Sequence, residues 1–200
     1  MTTDLLPPEI HELYEVHEWK HACAVLSSDF PEEWGDIIKV LLAFRLPLRD
    51  IAAEGKNKSL LSRALERAFV GRGWREKAFE TRVTVDGTAI DSRTHKVDCY
   101  KNRVALEIEW NNKDPFYERD LNGFRLLFDL RAISVGVIVT RCDELQDVFN
   151  ALGKGKSYGS STTHMSKLLP RLHGGSGGGC PILVFGMRRA LCIGDDQYAL

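Results

Sequence analysis

The sequence predicts an α/β domain in which a mixed central β-sheet is flanked by helices. Three observations predict it. Ser134-Val135-Gly136-Val137-Ile138-Val139-Thr140 is a β-branched run without alternation, the pattern of a strand covered on both faces. Residues 96–100 and 103–110 read as the two arms of a hairpin around Lys101-Asn102. Amphipathic helical stretches stand between these strands, so helices and strands interleave along the chain. A length of 200 residues suits one domain over 1–200, and 44% hydrophobic with 28% charged residues can bury a core and excludes a disordered chain.

Taken in order, Asp29-Phe30-Pro31-Glu32-Glu33 reads as a helix start, with Asp29 as N-cap, an early Pro, and acids that complement the dipole. Trp34, Ile37, Ile38, Leu41 and Leu42 follow at helical spacing. Residues 55–59 form a polar, basic break. A second helix is expected over about 60–70, with Leu61, Leu65 and Phe69 on one face and Arg63 and Arg67 on the other, ending at Gly71-Arg72-Gly73. Arg82-Val83-Thr84-Val85 alternates ahead of the turn dipeptide Asp86-Gly87. After the hairpin, an amphipathic helix is expected over about 116–131, with Leu121, Phe124, Leu127 and Phe128 as its buried stripe. A short helix near 143–151, a Gly/Ser/Thr loop and a helix near 163–172 follow. Glycine-rich 174–179 then leads into a last core strand, Ile182-Leu183-Val184-Phe185.

Charge and composition narrow the function classes. Lys+Arg 27 against Asp+Glu 28 advertises no polyanion or membrane partner in bulk, so any such surface must be local. No apolar run is long enough to span a bilayer, and no signal peptide is visible. Five cysteines without a CxxC pair fit a reduced, cytoplasmic setting. His17-Glu18-Trp19-Lys20-His21 matches HExxH, which binds zinc only on a helix, and Leu13-Tyr14-Glu15-Val16 before it reads as strand. Gly155-Lys156-Ser157 is like the end of a phosphate-binding loop, but Asn150 stands where the first glycine belongs and the preceding segment reads as helix. No nucleotide cofactor is expected.

The acids of the hairpin are more informative. Alternation puts Glu107 and Glu109 on one face of their strand and Val104, Leu106 and Ile108 on the other. The hairpin can bring Asp98 beside Glu107. Carboxylates converging from adjacent strands repel one another, and a hard divalent cation such as Mg²⁺ resolves that repulsion. The plainer reading is a solvent-facing acidic strand edge.

Asp98-x8-Glu107-x-Glu109 resembles a variant of the PD-(D/E)xK nuclease signature in which the usual Lys is replaced. The stretch Asn102-Arg103-Val104-Ala105-Leu106-Glu107-Ile108-Glu109-Trp110 resembles the active-site strand of type II restriction endonucleases of the BglII/BstYI type. Gly73-Trp74-Arg75-Glu76, Val135-Gly136-Val137-Ile138-Val139 and Ser157-Tyr158 fall in the order of that family's elements, over roughly 34–186. The resemblance implies a restriction-endonuclease-like core. It also implies a homodimer acting on double-stranded DNA at a short palindrome, six bases with a GATC-like centre, leaving 5′-phosphate ends. Asp98, Glu107 and the Ile108 carbonyl would hold Mg²⁺, with room for two ions per site. Glu109, an acid as in BamHI, would orient or deprotonate the water unless a second metal does so. A fourth polar group would fall at Lys77, with Glu76 beside it. Asn111, Asn112 and Lys113 follow the catalytic strand where those enzymes place a recognition loop. Ser160, Ser161, Thr162, Thr163 and His164 offer a second edge, with Lys154 and Lys156 for phosphates. The resemblance further implies a prokaryotic, cytoplasmic enzyme. The same motif serves repair nucleases and junction resolvases, and a non-catalytic DNA-binding module would leave the acids as mere surface.

Overall fold

Val135–Arg141 is buried along its whole length, and the sheet is organised around it. The structure is a computed structural model that describes residues 2–53, 60–113, 115–159 and 161–194, with backbone only at 83 and 90–95. Helix α1 (Pro8–Leu13) leads into β1 (Tyr14–Trp19), α2 (Ala22–Asp29), α3 (Pro31–Ala43), β2 (Leu46–Pro47), α4 (Leu48–Ala53) and α5 (Leu60–Val70). The long strands β3 (Arg75–Val85) and β4 (Thr88–Lys101) precede β5 (Val104–Ile108), α6 (Pro115–Asp129) and β6 (Val135–Arg141). Then come α7 (Leu145–Ala151), α8 (Met165–His173), β7 (Ile182–Met187) and the short β8 (Cys192–Ile193), which pairs with β2.

The main sheet has six strands in the order β1-β7-β6-β5-β4-β3. Strands β5, β6 and β7 run parallel, and β1, β4 and β3 pair antiparallel at the flanks. This is the mixed sheet flanked by helices that the sequence predicts. On one face Leu106, Ile108, Val137, Val139, Leu183 and Phe185 pack against α1, α2, α3, α5 and α7. On the other, Ala105, Ile138, Ile182 and Val184 meet α6 and α8. The unalternating β6 follows from burial on both faces. Gly136 has a packing reason as well: a Cβ there would stand 2.4 Å from the Phe124 ring, so its absence lets α6 lie close to the sheet.

Several boundaries differ from expectation. Asp29 ends α2 and does not cap α3. The non-helical junction is Phe30, whose N–H closes α2 on Leu26 and whose carbonyl opens α3 to Trp34. Hairpin β4–β5 turns at Asn102-Arg103, both left-handed with φ 43° and 67°, one residue later than the sequence suggests. Strands β3 and β4 begin well before 82–85 and 96–100, at Arg75 and Thr88, and these upstream stretches carry little apolar signal. The HExxH segment is extended β1 followed by left-handed Lys20 and His21, so the helix that motif needs is absent. Glu18 instead accepts the Thr2 hydroxyl at 2.6 Å and the Cys23 N–H at 3.3 Å. The basic break at 55–59 lies outside the described residues. Among the described residues no helix is long and apolar enough to cross a membrane.

One buried network ties α3 to the sheet. Asp36 accepts the Trp74 indole N–H at 3.1 Å and the Lys101 ammonium at 2.9 Å, with Arg72 at 3.5 Å. Lys101 also donates to Glu32 at 2.6 Å and to the Arg72 carbonyl at 3.1 Å. Burial pushes the Asp36 carboxyl up, but these donors and charges outweigh it and hold the group below the usual carboxylate range. A depressed acid stabilises the fold above its unfolded pKa and loses that contribution as pH falls through the folded value. Asp36→Asn should therefore cost about 1.5–3 kcal/mol at neutral pH. The penalty should shrink once pH drops below the unfolded value of 3.8, as urea titrations at pH 7 and pH 3 would show.

Candidate active site

Three of the acids singled out in the sequence meet under α6. Alternation aims Leu106 and Ile108 into one core, so Ala105 and Glu107 must face the other side, towards α6. Glu107 and Glu109 are each 1% exposed, so the plainer reading of a solvent-facing acidic edge does not hold. Asp98, on the neighbouring strand, is half-buried. Regular pairing of β4 with β5 reaches Cys99↔Leu106 and stops. Beyond it the carboxyls take over: Glu107 Oε2 accepts the Asp98 N–H at 3.2 Å, and Asp98 Oδ2 accepts the Ile108 N–H at 3.0 Å. Each acid thus holds the other's strand.

A fourth acid, which sequence reasoning missed, completes the cluster. Asp120 lies on α6, fully buried, and its carboxyl hydrogen-bonds that of Glu109. Burial, then the Asp120 and Asp98 charges, push Glu107 well above the ordinary carboxyl range. Burial and Asp120 likewise raise Glu109, and burial raises Asp120. Arg119, beside Asp120, sets its Nη2 3.1 Å from Asp120 Oδ1 and 3.6 Å from Glu109 Oε1. The missed signal was a charge inside an apolar stripe: Asp120 falls at the helical i+3 position from Tyr117 and next to Leu121.

The main chain at Glu109 is equally constrained. Its N–H donates to the Val139 carbonyl at 2.9 Å, extending the β5–β6 pairing by one residue. Its carbonyl accepts the Thr140 hydroxyl at 2.8 Å, and the Tyr117 hydroxyl lies 2.6 Å from Thr140 Oγ1. Thr163 Oγ1 approaches the same carbonyl at 3.4 Å.

The two candidate reading loops come together at this end of the sheet. Lys113 bridges to Thr162, and the Thr163 N–H donates to the Asn112 carbonyl at 2.8 Å. Asn112 Nδ2 donates to Glu109 Oε2 at 2.7 Å, and Asn111 beside it is half-buried. Thr162, Thr163 and His164 are buried in internal contacts, including Arg141 to Thr162 at 2.9 Å and His164 to Asp143 at 2.7 Å. Lys113, Lys156 and Ser161 are exposed and Lys154 is half-buried; Ser160 lies outside the described residues. Lys77 rests on the Phe79 and Tyr100 rings at 4.5 and 4.0 Å, while Glu76 pairs with Lys96 at the surface. A separate cavity of about 620 Å³, lined by Lys39, Arg45, Leu61, Arg67 and Arg72, opens between α3 and α5 on the opposite face from these acids.

Among the described residues no three His, Cys, Asp or Glu side chains form a ready-made metal cage. The ligand set implied by the motif needs only two, Asp98 and Glu107, with the Ile108 carbonyl as third oxygen. That donor set suits a hard divalent cation.

The six-stranded mixed sheet flanked by helices is consistent with a restriction-endonuclease fold. The family model described as Restriction endonuclease BglII/BglIII matches residues 14–187, and the chain belongs to that family. It is accordingly a type II site-specific deoxyribonuclease. No curated protein matches the sequence.

Thr140→Val keeps the shape but strips the Glu109 carbonyl and the Tyr117 hydroxyl of their shared partner. It should cost about 1–3 kcal/mol, measured by urea unfolding. Tyr117→Phe, which leaves the Thr140 bond intact, should cost less.

Proposed function

We propose that this endonuclease is a Mg²⁺-dependent homodimer that hydrolyses one phosphodiester in each strand of a short palindrome and leaves 5′-phosphate ends. The reciprocal bonding of Asp98 and Glu107, with Glu109 and Asp120 packed beside them, carries the reading. Asp98, Glu107 and the Ile108 carbonyl would hold the ion. A divalent cation bound there supplies positive charge for the attacking water and the leaving oxygen. Glu109, fixed by Asn112 and the Thr140-bonded main chain, orients the water and receives its proton as the new phosphorus–oxygen bond forms.

Recognition is assigned to the joined loops. Asn111 and Asn112 present amides and Lys113 an exposed ammonium at the mouth of the site, chemistry that suits adenine and guanine edges. Lys154 and Lys156 serve phosphates, and Ser161 is the exposed hydroxyl of the second loop. The family resemblance supports a six-base target with a GATC-like centre. A two-fold target calls for a two-fold protein, hence the dimer.

Digestion of plasmid DNA with Mg²⁺ tests the reading. Discrete bands are expected. Cutting only at branched structures would mark a resolvase, and intact DNA a binding module. Asp98→Ala or Glu107→Ala should abolish cleavage while specific DNA binding persists; a variant that cuts at near wild-type rate removes that residue from the site.

The two loops are separable by specificity. Asn112→Ala should cost roughly 1–3 kcal/mol of discrimination at one base pair. Lys156→Ala should weaken binding to all sequences alike and flatten its salt dependence. Relative cleavage rates across single-base changes of the target decide between these roles.

A further inference from the structure

We infer that Arg119 contacts the scissile phosphate, supplying from α6 a positive charge that the active-site strand lacks at Glu109. The inference rests on the nuclease reading above. Asp98, Glu107, Glu109 and Asp120 crowd one site, and a phosphodiester anion must come up against them. Such an approach calls for a cation that is close to the acids and still open to solvent.

The described cations around the site differ sharply in this respect. Lys77 lies on two aromatic rings. Lys101 is committed to Glu32 and Asp36. Arg141 is buried and donates to the Tyr158 carbonyl and the Thr162 hydroxyl. Arg119 alone among these both touches the acid cluster and stays accessible, with its side chain 42% exposed.

Its geometry is that of a held but open guanidinium. Nε and Nη2 reach Asp120 Oδ1 at 3.3 and 3.1 Å, and the Phe116 ring lies 4.0 Å beneath the plane. Asp120 and Phe116 therefore set the position and tilt of the fork, leaving Nη1 to meet an incoming oxygen. The looser contact, 3.6 Å to Glu109, is the one a phosphate would displace. Half-exposed ion pairs are weak, whereas Arg binds phosphate with directed, charge-assisted hydrogen bonds, so the exchange favours substrate.

During hydrolysis the water oxygen bonds to phosphorus as the phosphorus–O3′ bond breaks. The electron pair leaves on O3′, which takes a proton from solvent, while the water proton passes to Glu109. Arg119 keeps its charge throughout and stabilises the negative charge gathering on the non-bridging oxygens.

The test compares wild type, Arg119→Ala and Arg119→Lys on plasmid DNA with Mg²⁺, as single-turnover rates at saturating enzyme. Arg119→Ala should slow cleavage by about 10²–10³-fold, with Tm within a few degrees of wild type. Arg119→Lys should recover part of the rate. Added guanidinium ion at millimolar concentration should partly restore Arg119→Ala and leave wild type unchanged, a response that a merely structural role would not give. Arg119→Ala cutting within threefold of wild type overturns the inference and leaves the nuclease reading standing. So does a loss that appears only as weaker DNA binding, or one that guanidinium does not rescue. Wild-type protein that leaves the plasmid intact overturns the reading itself, and the inference with it.

Discussion

Mutual repulsion among four crowded carboxyl groups, three of them buried, is the constraint around which the middle of this molecule is built. Carboxylates taken out of water lose solvation, and crowding them together adds like-charge repulsion. The site meets this cost in three ways. Glu109 and Asp120 share a hydrogen bond. Asp98 and Glu107 accept main-chain N–H groups from each other's strands. Arg119 brings a guanidinium to the edge of the cluster. The divalent cation proposed for the site would offer a further resolution.

Holding such a cluster requires a rigid floor, and the sheet provides it. β5 lies between a parallel neighbour and an antiparallel one, so its acids come from a strand paired on both sides. Its apolar residues are anchored in one core while its acids face the other. Helix α6 brings Asp120 and Arg119 close because Gly136 carries no Cβ beneath the Phe124 ring. The aromatic cluster of Trp110, Phe149 and Tyr158 packs directly after Glu109 and limits how far the end of the strand can move.

Most of the fold was legible in the sequence because burial and period coincide there. β6 is apolar as far as Val139 and β7 throughout, α5 and α6 show clear amphipathic stripes, and β5 alternates. Legibility failed where structure owes little to burial. Residues 75–81 of β3 and 88–95 of β4 are held by main-chain pairing with little apolar pattern, and Phe30 serves two helices at once, which cap statistics applied to Asp29 do not reveal. In the site, Asp98, Glu107 and Glu109 were readable through one hairpin and one motif. Asp120 and Arg119 were not, because they reach the acids only through the packing of α6 on the sheet. Thr162, Thr163 and His164 looked like loop donors by composition, yet folding turns them inward onto Arg141, the Glu109 carbonyl and Asp143.

That inward turn joins the two loops to the acids by a continuous run of hydrogen bonds. The Asn112 side chain holds Glu109 through its carboxyl, and the Asn112 carbonyl holds the second loop through the Thr163 N–H. Thr163 in turn approaches the Glu109 carbonyl that Thr140 already binds. The Asn112 amide carries two N–H donors and an oxygen acceptor, so under the proposed reading a base edge could engage it while one N–H stays on Glu109 Oε2. A base edge that fixed the amide would fix the Glu109 carboxyl with it. A non-cognate edge that pulled the amide away would loosen its hold on Glu109. Under the proposed reading, the short path from loop to acid would let discrimination act on the hydrolytic step as well as on binding.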